Sequence, residues 1–363
     1  MSTQLKSEHL MNKLKDTLSV CEQCYRHVPA VRFERDNQIW LSKTCSEHGY
    51  VEHLVEPDAE FYLNYNYTRH PLSSYFIETT NKCNLACPHC YQEPDSRSID
   101  PAIQSILTRI KSWPDDGLAL SLVGAEPTVR KDLPEIIEAI QALPGKPRGI
   151  MILTNGVKLG RIDYASQFTK FDNVHFTVGL NHPDYQGHTV RGKQEQGLDN
   201  CVALGLSIKN ISYTLEGFDQ LEYCLSEIQK FNDIKKYCNA YRIRVGTEIG
   251  RCPDQDKMYL SELVKRAKAV AEKNNWSFVP KPELGIRAHY PIEINGILIK
   301  FIQWPDAKTL DLSEMQTEAI ADILPGKPPS PLVHQVILRD HAINNKKMLP
   351  DTIPKEWIDN YGK

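Results

Sequence analysis

The stretch Tyr75-Phe76-Ile77-Glu78-Thr79-Thr80-Asn81-Lys82-Cys83-Asn84-Leu85-Ala86-Cys87-Pro88-His89-Cys90-Tyr91 decides how this chain reads. Its first residues, Tyr75–Thr79, are apolar and β-branched and predict a strand. The cysteines follow at once, spaced Cys83-x3-Cys87-x2-Cys90. Three thiolates on one short loop can hold three corners of an iron–sulfur cube, whereas a ferredoxin-type site takes four. No fourth cysteine lies nearby, so ligand count alone leaves one iron open to an exogenous ligand.

Outward from this loop the chain keeps a steady rhythm. Further strand candidates are Leu118–Val123, Gly149–Thr154, Val174–Leu180, Ile208–Leu215 and Tyr241–Ile249. Between them run amphipathic stretches. Asp100-Pro101 marks a helix start, and Ile103, Ile106, Leu107 and Ile110 form one apolar face. Asp132 opens the next helix, with Ile136, Ile137, Ile140 and Leu143 inward. Leu221, Cys224, Leu225 and Ile228 make a third stripe, and Leu260, Leu263, Val264 and Ala267 a fourth. Strands alternating with helices predict parallel β/α units that curl into an open sheet or a partial barrel. In either form, sites gather at the C-terminal ends of the strands, where the cysteine loop lies.

The segment Thr80–Tyr91 resembles, almost residue for residue, the signature of the radical S-adenosylmethionine (SAM) superfamily. The resemblance implies a [4Fe–4S] cluster on Cys83, Cys87 and Cys90, with SAM on the fourth iron. It implies reductive cleavage of SAM to a 5′-deoxyadenosyl radical that takes hydrogen from a substrate. It also turns the fold expectation into a partial (β/α)6 TIM-type barrel. Gly124-Ala125-Glu126-Pro127, one strand later, resembles the family's Gly-Gly-Glu-Pro motif, which binds the methionine ammonium of SAM; Ala125 stands for the second glycine and needs a negative φ there. Thr154-Asn155-Gly156 ends the third strand at a common ribose-contacting position, Asn181 and His182 follow the fourth, and Tyr91 takes the aromatic place near the adenine. Arg191-Gly192 resembles a recurrent Arg-Gly, although Arg191 also reads as a solvated surface charge, and Ile249 falls near the adenine by the same likeness.

A second cluster precedes the barrel. Cys21-x2-Cys24-x20-Cys45-x2-His48 has the spacing of two metal-binding knuckles and suits tetrahedral zinc with three sulfurs and one nitrogen; His27, His53 or a distant cysteine are alternative fourth ligands. Together with Val28-Pro29-Ala30 and Lys43–Gly49, it resembles the N-terminal module of the tetraether-lipid-synthase group and related radical SAM methylases. In that group the metal is mononuclear zinc or iron. A closed four-ligand site implies a structural role.

The chain has 363 residues, 41% hydrophobic and 25% charged, with a net charge of −3. This is the balance of a globular protein and carries no footprint of a nucleic-acid partner. No apolar run is long enough to cross a membrane, and the polar start lacks the centre of a signal peptide, so a cytoplasmic location is expected. The ten cysteines then point to metal chemistry rather than disulfides, with Cys201 and Cys224 as core residues and Cys252 at a strand end. No cysteine follows Cys252, which disfavours a C-terminal auxiliary cluster and the lipid-coupling chemistry of the tetraether group. The first 70 residues are too short for a cobalamin-binding domain. The expected division is 1–70 for the metal-binding module, 71–280 for the barrel and 281–363 for an α+β extension. That extension holds a hairpin around Asn295-Gly296, a helix near Leu312–Ile323, and His334 and His341. The expected partners are a small-molecule or lipid-like substrate and an electron donor such as flavodoxin or ferredoxin. The likeness of the N-terminal module to radical SAM methylases leaves a methylase-type outcome as an alternative; a non-enzymatic iron–sulfur carrier is the competing class, and it leaves the Gly124–Pro127 motif without a purpose.

Overall fold

The computed structural model describes residues 11–24, 27–64, 74–87, 90, 94–111, 119–145, 147, 149–180, 188–231, 237–238, 240–245, 257–284, 289–303, 308–311 and 319–322. The N-terminal part is an antiparallel four-stranded sheet in sequential order: β1 (Asn12–Val20), β2 (His27–Arg35), β3 (Gln38–Cys45) and β4 (Gly49–Glu56). The sequence showed its metal ligands but not these strands. β2 and β3 are joined by Asp36-Asn37, whose φ angles of 55° and 58° suit the tight turn that matches strand twist. Phe33, Ile39 and Leu41 are fully buried beneath it.

The rest is built on one ten-stranded sheet. Its centre is β5 (Ser74–Thr80), β6 (Ala119–Gly124), β7 (Gly149–Thr154), β8 (Val174–Gly179), β9 (Ser207–Leu215) and β10 (Ala240–Val245), all parallel and neighbouring in chain order. Helices Ile103–Lys111, Leu133–Gln141, Ile162–Ala165, His188–Ala203, Asp219–Phe231 and Leu260–Lys273 follow these strands in turn. This is the six-unit β/α arrangement the sequence predicts. The apolar stripes face the sheet as expected: Ile106, Ile136, Ile137, Ile140, Leu221, Leu225, Ile228 and Leu263 are buried in one core with strand residues Ile77, Leu122, Ile152, Phe176, Ile211 and Ile243. Cys201 and Cys224 lie in the same core, where burial pushes both thiols up to about 12.

Three further strands, β11 (Phe278–Pro280), β12 (His289–Ile294) and β13 (Ile297–Ile302), extend the sheet beyond β10. β12 and β13 form the expected hairpin, with Asn295 at φ 50° and Gly296 at φ 77°. β13 runs parallel to β10, so the hairpin continues the barrel wall. The helix expected near Leu312–Ile323 is corrected at its end: Ala319–Asp322 is β14, which pairs in parallel with β5. Its alternating apolar residues satisfy a strand as readily as a helix, and an open sheet edge decides between them. Residues 312–318, His334 and His341 lie outside the described residues.

The small sheet docks on the barrel through polar groups. Arg32, buried, pairs with Asp311 at 3.0 Å, and Thr17 Oγ1 donates to the same carboxylate at 2.5 Å. Ser261 Oγ donates to Glu56 at 2.5 Å, and Lys265 pairs with Asp58 at 2.8 Å.

Candidate active site and zinc centre

β5 delivers Cys83, Cys87 and Cys90 to the mouth of the barrel, all half-buried. The loop is shaped by its own backbone: Leu85 N–H donates to Cys83 Sγ at 3.3 Å, and Cys90 N–H donates to Cys87 O at 3.3 Å. Burial pushes the Cys83 thiol up to about 12, and Glu126, Cys87 and Cys90 add to the rise. Three soft donors on one loop where negative charge is penalised are a donor set that suits an iron–sulfur cluster, whose irons supply the missing positive charge.

Beside this loop the ends of β5, β6 and β7 are tied together. Gly124, at φ +137°, lets β6 approach β5 so closely that a Cβ there would sit 2.2 Å from Thr80 O. Thr80 O instead accepts the Ala125 N–H at 3.1 Å. Ala125 keeps a negative φ, as its substitution for glycine requires. Glu126 is 1% exposed. Its Oε1 accepts from Thr128 N (3.0 Å), Thr128 Oγ1 (2.5 Å) and Thr154 Oγ1 (2.7 Å), and its Oε2 accepts from Asn155 N at 2.6 Å. Burial still raises the Glu126 pKa despite these donors. One oxygen is saturated while the other keeps a lone pair, so the carboxylate can take one more donor, and a cation would relieve its burial. Asn155 Nδ2 reaches Asn84 Oδ1 at 2.8 Å and lies 3.9 Å from Cys83 Sγ, which links the cysteine loop to the β7 end.

Three supporting residues escaped the sequence reading. Arg130, buried, donates to Thr79 O (2.8 Å) and Pro101 O (2.9 Å) and pairs with Asp132. Gln194, also buried, donates to Asn155 O (2.8 Å) and Gly179 O (3.0 Å). Thr128 fills Glu126 Oε1. No pattern could have found Arg130 and Gln194, because each acts on backbone brought near by the fold; Thr128 acts locally, on the carboxylate two residues before it. Arg191 is not a solvated charge: it is buried and pairs with Glu227 (2.5 Å) and Glu195 (3.0 Å), stapling two helices. Tyr91, Asn181, His182, Ile249 and Cys252 lie outside the described residues.

The N-terminal cluster closes as expected. Cys21 and Cys24 sit on the turn after β1, Cys45 ends β3, and His48 lies on the turn that follows. Their ligand atoms all lie within 4.8 Å of one another. His48 Nδ1 is 3.5 Å from Cys21 Sγ and 3.4 Å from Cys45 Sγ, and Cys24 Sγ is 3.9 Å from Cys45 Sγ. Zinc–sulfur bonds of about 2.3 Å and zinc–nitrogen bonds of about 2.0 Å at tetrahedral angles set neighbouring ligand atoms about 3.5–3.8 Å apart. The four residues therefore match a tetrahedral zinc. The Cys45 thiol is lowered to about 6, first by the Glu47 backbone N–H and then by His48. His53 is not a ligand of this group; it contacts Glu22 at 2.6 Å, beside Lys43.

Comparison with known proteins agrees with both centres. The model described as the HMPTM N-terminal zinc ribbon domain matches residues 13–57, and the Radical SAM superfamily model matches residues 77–217. A 7,8-dihydro-6-hydroxymethylpterin dimethyltransferase of Methanocaldococcus jannaschii is 26% identical over 233 residues, which cover 53% of this chain and 45% of that protein. A GTP 3′,8-cyclase of Pelotomaculum thermopropionicum is 26% identical over 156 residues, covering 40% and 48%. The chain thus spans about half the length of these curated relatives. The crystal structure of Streptococcus suis SuiB bound to precursor peptide SuiA aligns over 84% of this chain and 67% of that one, with TM-score 0.47 and 15% identity.

Proposed function

We propose that this chain, which belongs to the radical SAM superfamily, cleaves SAM reductively and uses the 5′-deoxyadenosyl radical to take hydrogen from a small-molecule substrate. The observation that carries the reading is the placement of Cys83, Cys87 and Cys90 at the end of β5, beside strand ends tied together by Glu126. Cys83, Cys87 and Cys90 would hold a [4Fe–4S] cluster, which would supply the electron needed to break the sulfonium C–S bond. Everything else is work for the protein. Cys83, Cys87 and Cys90 leave one coordination position for SAM. Gly124, Ala125, Glu126 and Pro127 form the ledge for its methionine end, with the open lone pair of Glu126 Oε2 accepting from the ammonium. Thr154 and Asn155 flank the ribose, and Tyr91 and Asn181 complete the site. Cys21, Cys24, Cys45 and His48 hold zinc in a structural role. The electron comes from a small donor such as flavodoxin or ferredoxin, and the compartment is the cytoplasm. Among the described residues no helix is long and apolar enough to cross a membrane.

The test is anaerobic reconstitution followed by incubation with SAM and a strong reductant. Mass spectrometry then quantifies 5′-deoxyadenosine. Product from the wild type and none from Cys87→Ala is the expected result. No product from protein with an intact cluster, with or without candidate substrates, would favour the electron-carrier class.

The likeness to a dimethyltransferase, 26% identical over 233 residues, favours methyl transfer as the outcome. SAM with a deuterated methyl group, offered with 6-hydroxymethyl-7,8-dihydropterin as first acceptor, tests this. A labelled, heavier pterin is the expected product, and unlabelled acceptor alone argues for another outcome.

A further inference from the structure

We propose that Arg242, Arg244 and Lys300 form an anion-binding wall inside the barrel that holds a phosphate-bearing part of the substrate. The inference rests on the radical SAM reading for the chemistry at the substrate's other end, but not for the existence of the anion site.

The strand register places these residues together. On β10, Tyr241, Ile243 and Val245 belong to the core shared with the helices, so Arg242 and Arg244 occupy the opposite, inner face. Lys300 of β13 lies directly beside Arg242, and Ser212 and Thr214 of β9 lie beside Arg242 and Arg244. His289 of β12 joins them through its pairing with Ile302, the neighbour of Arg244.

The same register fixes their height. Thr154 pairs with Val178, Val178 with Ile211 and Ile211 with Tyr241. Arg242 is therefore one residue, and Arg244 three, beyond the level of Thr154. Cys83 is three residues beyond Thr80, which pairs with Gly124 at the end of β6. Arg242 and Arg244 thus lie toward the C-terminal end of β10, the same end of the parallel strands from which the cysteine loop leaves β5.

Among the described residues these half-buried cations lack the acidic partners that the buried arginines have. Arg32 meets Asp311, Arg130 meets Asp132, and Arg191 meets Glu195 and Glu227. Among the described residues no carboxylate pairs with Arg242, Arg244 or Lys300. Arg242 Nε and Arg244 Nε are buried without a hydrogen bond, and Arg244 Nη2 donates to Thr214 Oγ1 at 3.2 Å. The repulsion is visible in their protonation. Burial and Arg244 lower Arg242 to about 10, burial and Arg242 lower Lys300, and burial with both cations drives His289 down to about 3, leaving it neutral. An unpaired cation cluster of this kind is destabilising unless an anion arrives. A single carboxylate would leave most of the positive charge unmatched. A phosphate ester or diphosphate offers several charges and the oxygens that planar guanidinium groups grip in pairs.

The test uses the reconstituted full chain and inorganic pyrophosphate as probe, with calorimetry and thermal unfolding. Wild type binds pyrophosphate and melts higher with it. Arg242→Gln and Lys300→Gln each bind about tenfold more weakly, while Lys268→Gln, on the exposed face of a helix, binds as wild type does. Without pyrophosphate the two inner variants melt no lower than wild type, because removing one cation relieves repulsion. If both melt lower without ligand, the cations are structural and the proposal falls. If wild type forms 5′-deoxyadenosine yet does not bind pyrophosphate, the proposal falls and the functional reading stands. If wild type binds pyrophosphate and forms no 5′-deoxyadenosine, the anion site stands and the functional reading falls. If the variants lose affinity for SAM and keep pyrophosphate, the cations serve the SAM carboxylate, which also overturns the proposal.

Discussion

Asn155 is bonded to Glu126 through its backbone N–H at 2.6 Å, and its side-chain amide reaches the other way, to Asn84 in the cysteine loop, at 2.8 Å. One residue therefore sets the distance between the carboxylate proposed for SAM and the cysteines proposed for the cluster. Asn155→Ala keeps the backbone bond and loses the side-chain contacts to Asn84, Cys83 and the Val157 N–H. The expected result is a KM for SAM raised about fivefold with kcat less affected, for the loss of about 1 kcal/mol of positioning. The electron paramagnetic resonance signal of the reduced cluster should also respond less to SAM. An unchanged KM and spectrum would show that the loop is fixed without Asn155.

Gly124 and Ala125 are adjacent small residues with opposite tolerances. A methyl group at 124 meets Thr80 O at 2.2 Å in a φ region that side chains avoid. Gly124→Ala should cost about 3 kcal/mol or more and separate β5 from β6. Ala125→Gly should cost about 1 kcal/mol or less, through chain entropy alone. Thermal unfolding of the two variants checks the contrast.

Metal analysis of purified protein should find one zinc per chain besides the cluster iron. Cys24→Ser should abolish it and expose residues 11–57 to proteolysis, because structural zinc supplies about 10 kcal/mol or more to folding such a module. Iron in place of zinc, with a thiolate charge-transfer colour, would identify the other mononuclear metal.

Glu56 makes the docking of the small sheet pH-dependent. Burial against the helix carrying Ser261 raises its pKa from 4.5 to about 7. The folded state thus binds this proton more tightly than the unfolded chain. Its contribution is complete below about pH 4.5 and is lost as pH rises through about 7, a loss of about 3 kcal/mol. The melting temperature of wild type should fall between pH 5 and 8 more than that of Glu56→Gln, and the variant should melt higher at pH 8. Parallel pH curves would mean that Glu56 titrates normally.

The barrel was legible because its stripes and strands keep strict periods: the Ile103–Ile110 face and the Gly149–Thr154 strand both stand where the spacing puts them. The metal ligands were legible because cysteine spacing is local. What escaped is what depends on tertiary proximity. The helix His188–Ala203 turns Arg191, Gln194 and Asn200 inward beside Leu198 and Cys201, so its buried face is half polar and shows only a short apolar stripe. Asp100 looks like a helix cap, yet its carboxylate is taken by Thr80 at 2.7 Å and Lys82 at 3.1 Å. β14 reads as helix until the bare edge of β5 is known to lie beside it.

The pairing of β14 with β5 joins Ala319 to Ser74, and the Arg32–Asp311 pair joins the small sheet to the same late stretch of chain. During synthesis the ribosome makes the first strand of the barrel long before the segment that covers its edge. Arg32 likewise waits for its carboxylate until residue 311 has emerged. The nascent chain must therefore carry an unprotected strand edge through most of its own elongation, a state open to mispairing with neighbouring chains. The order of assembly cannot follow the order of translation, and the last described strand acts as the latch.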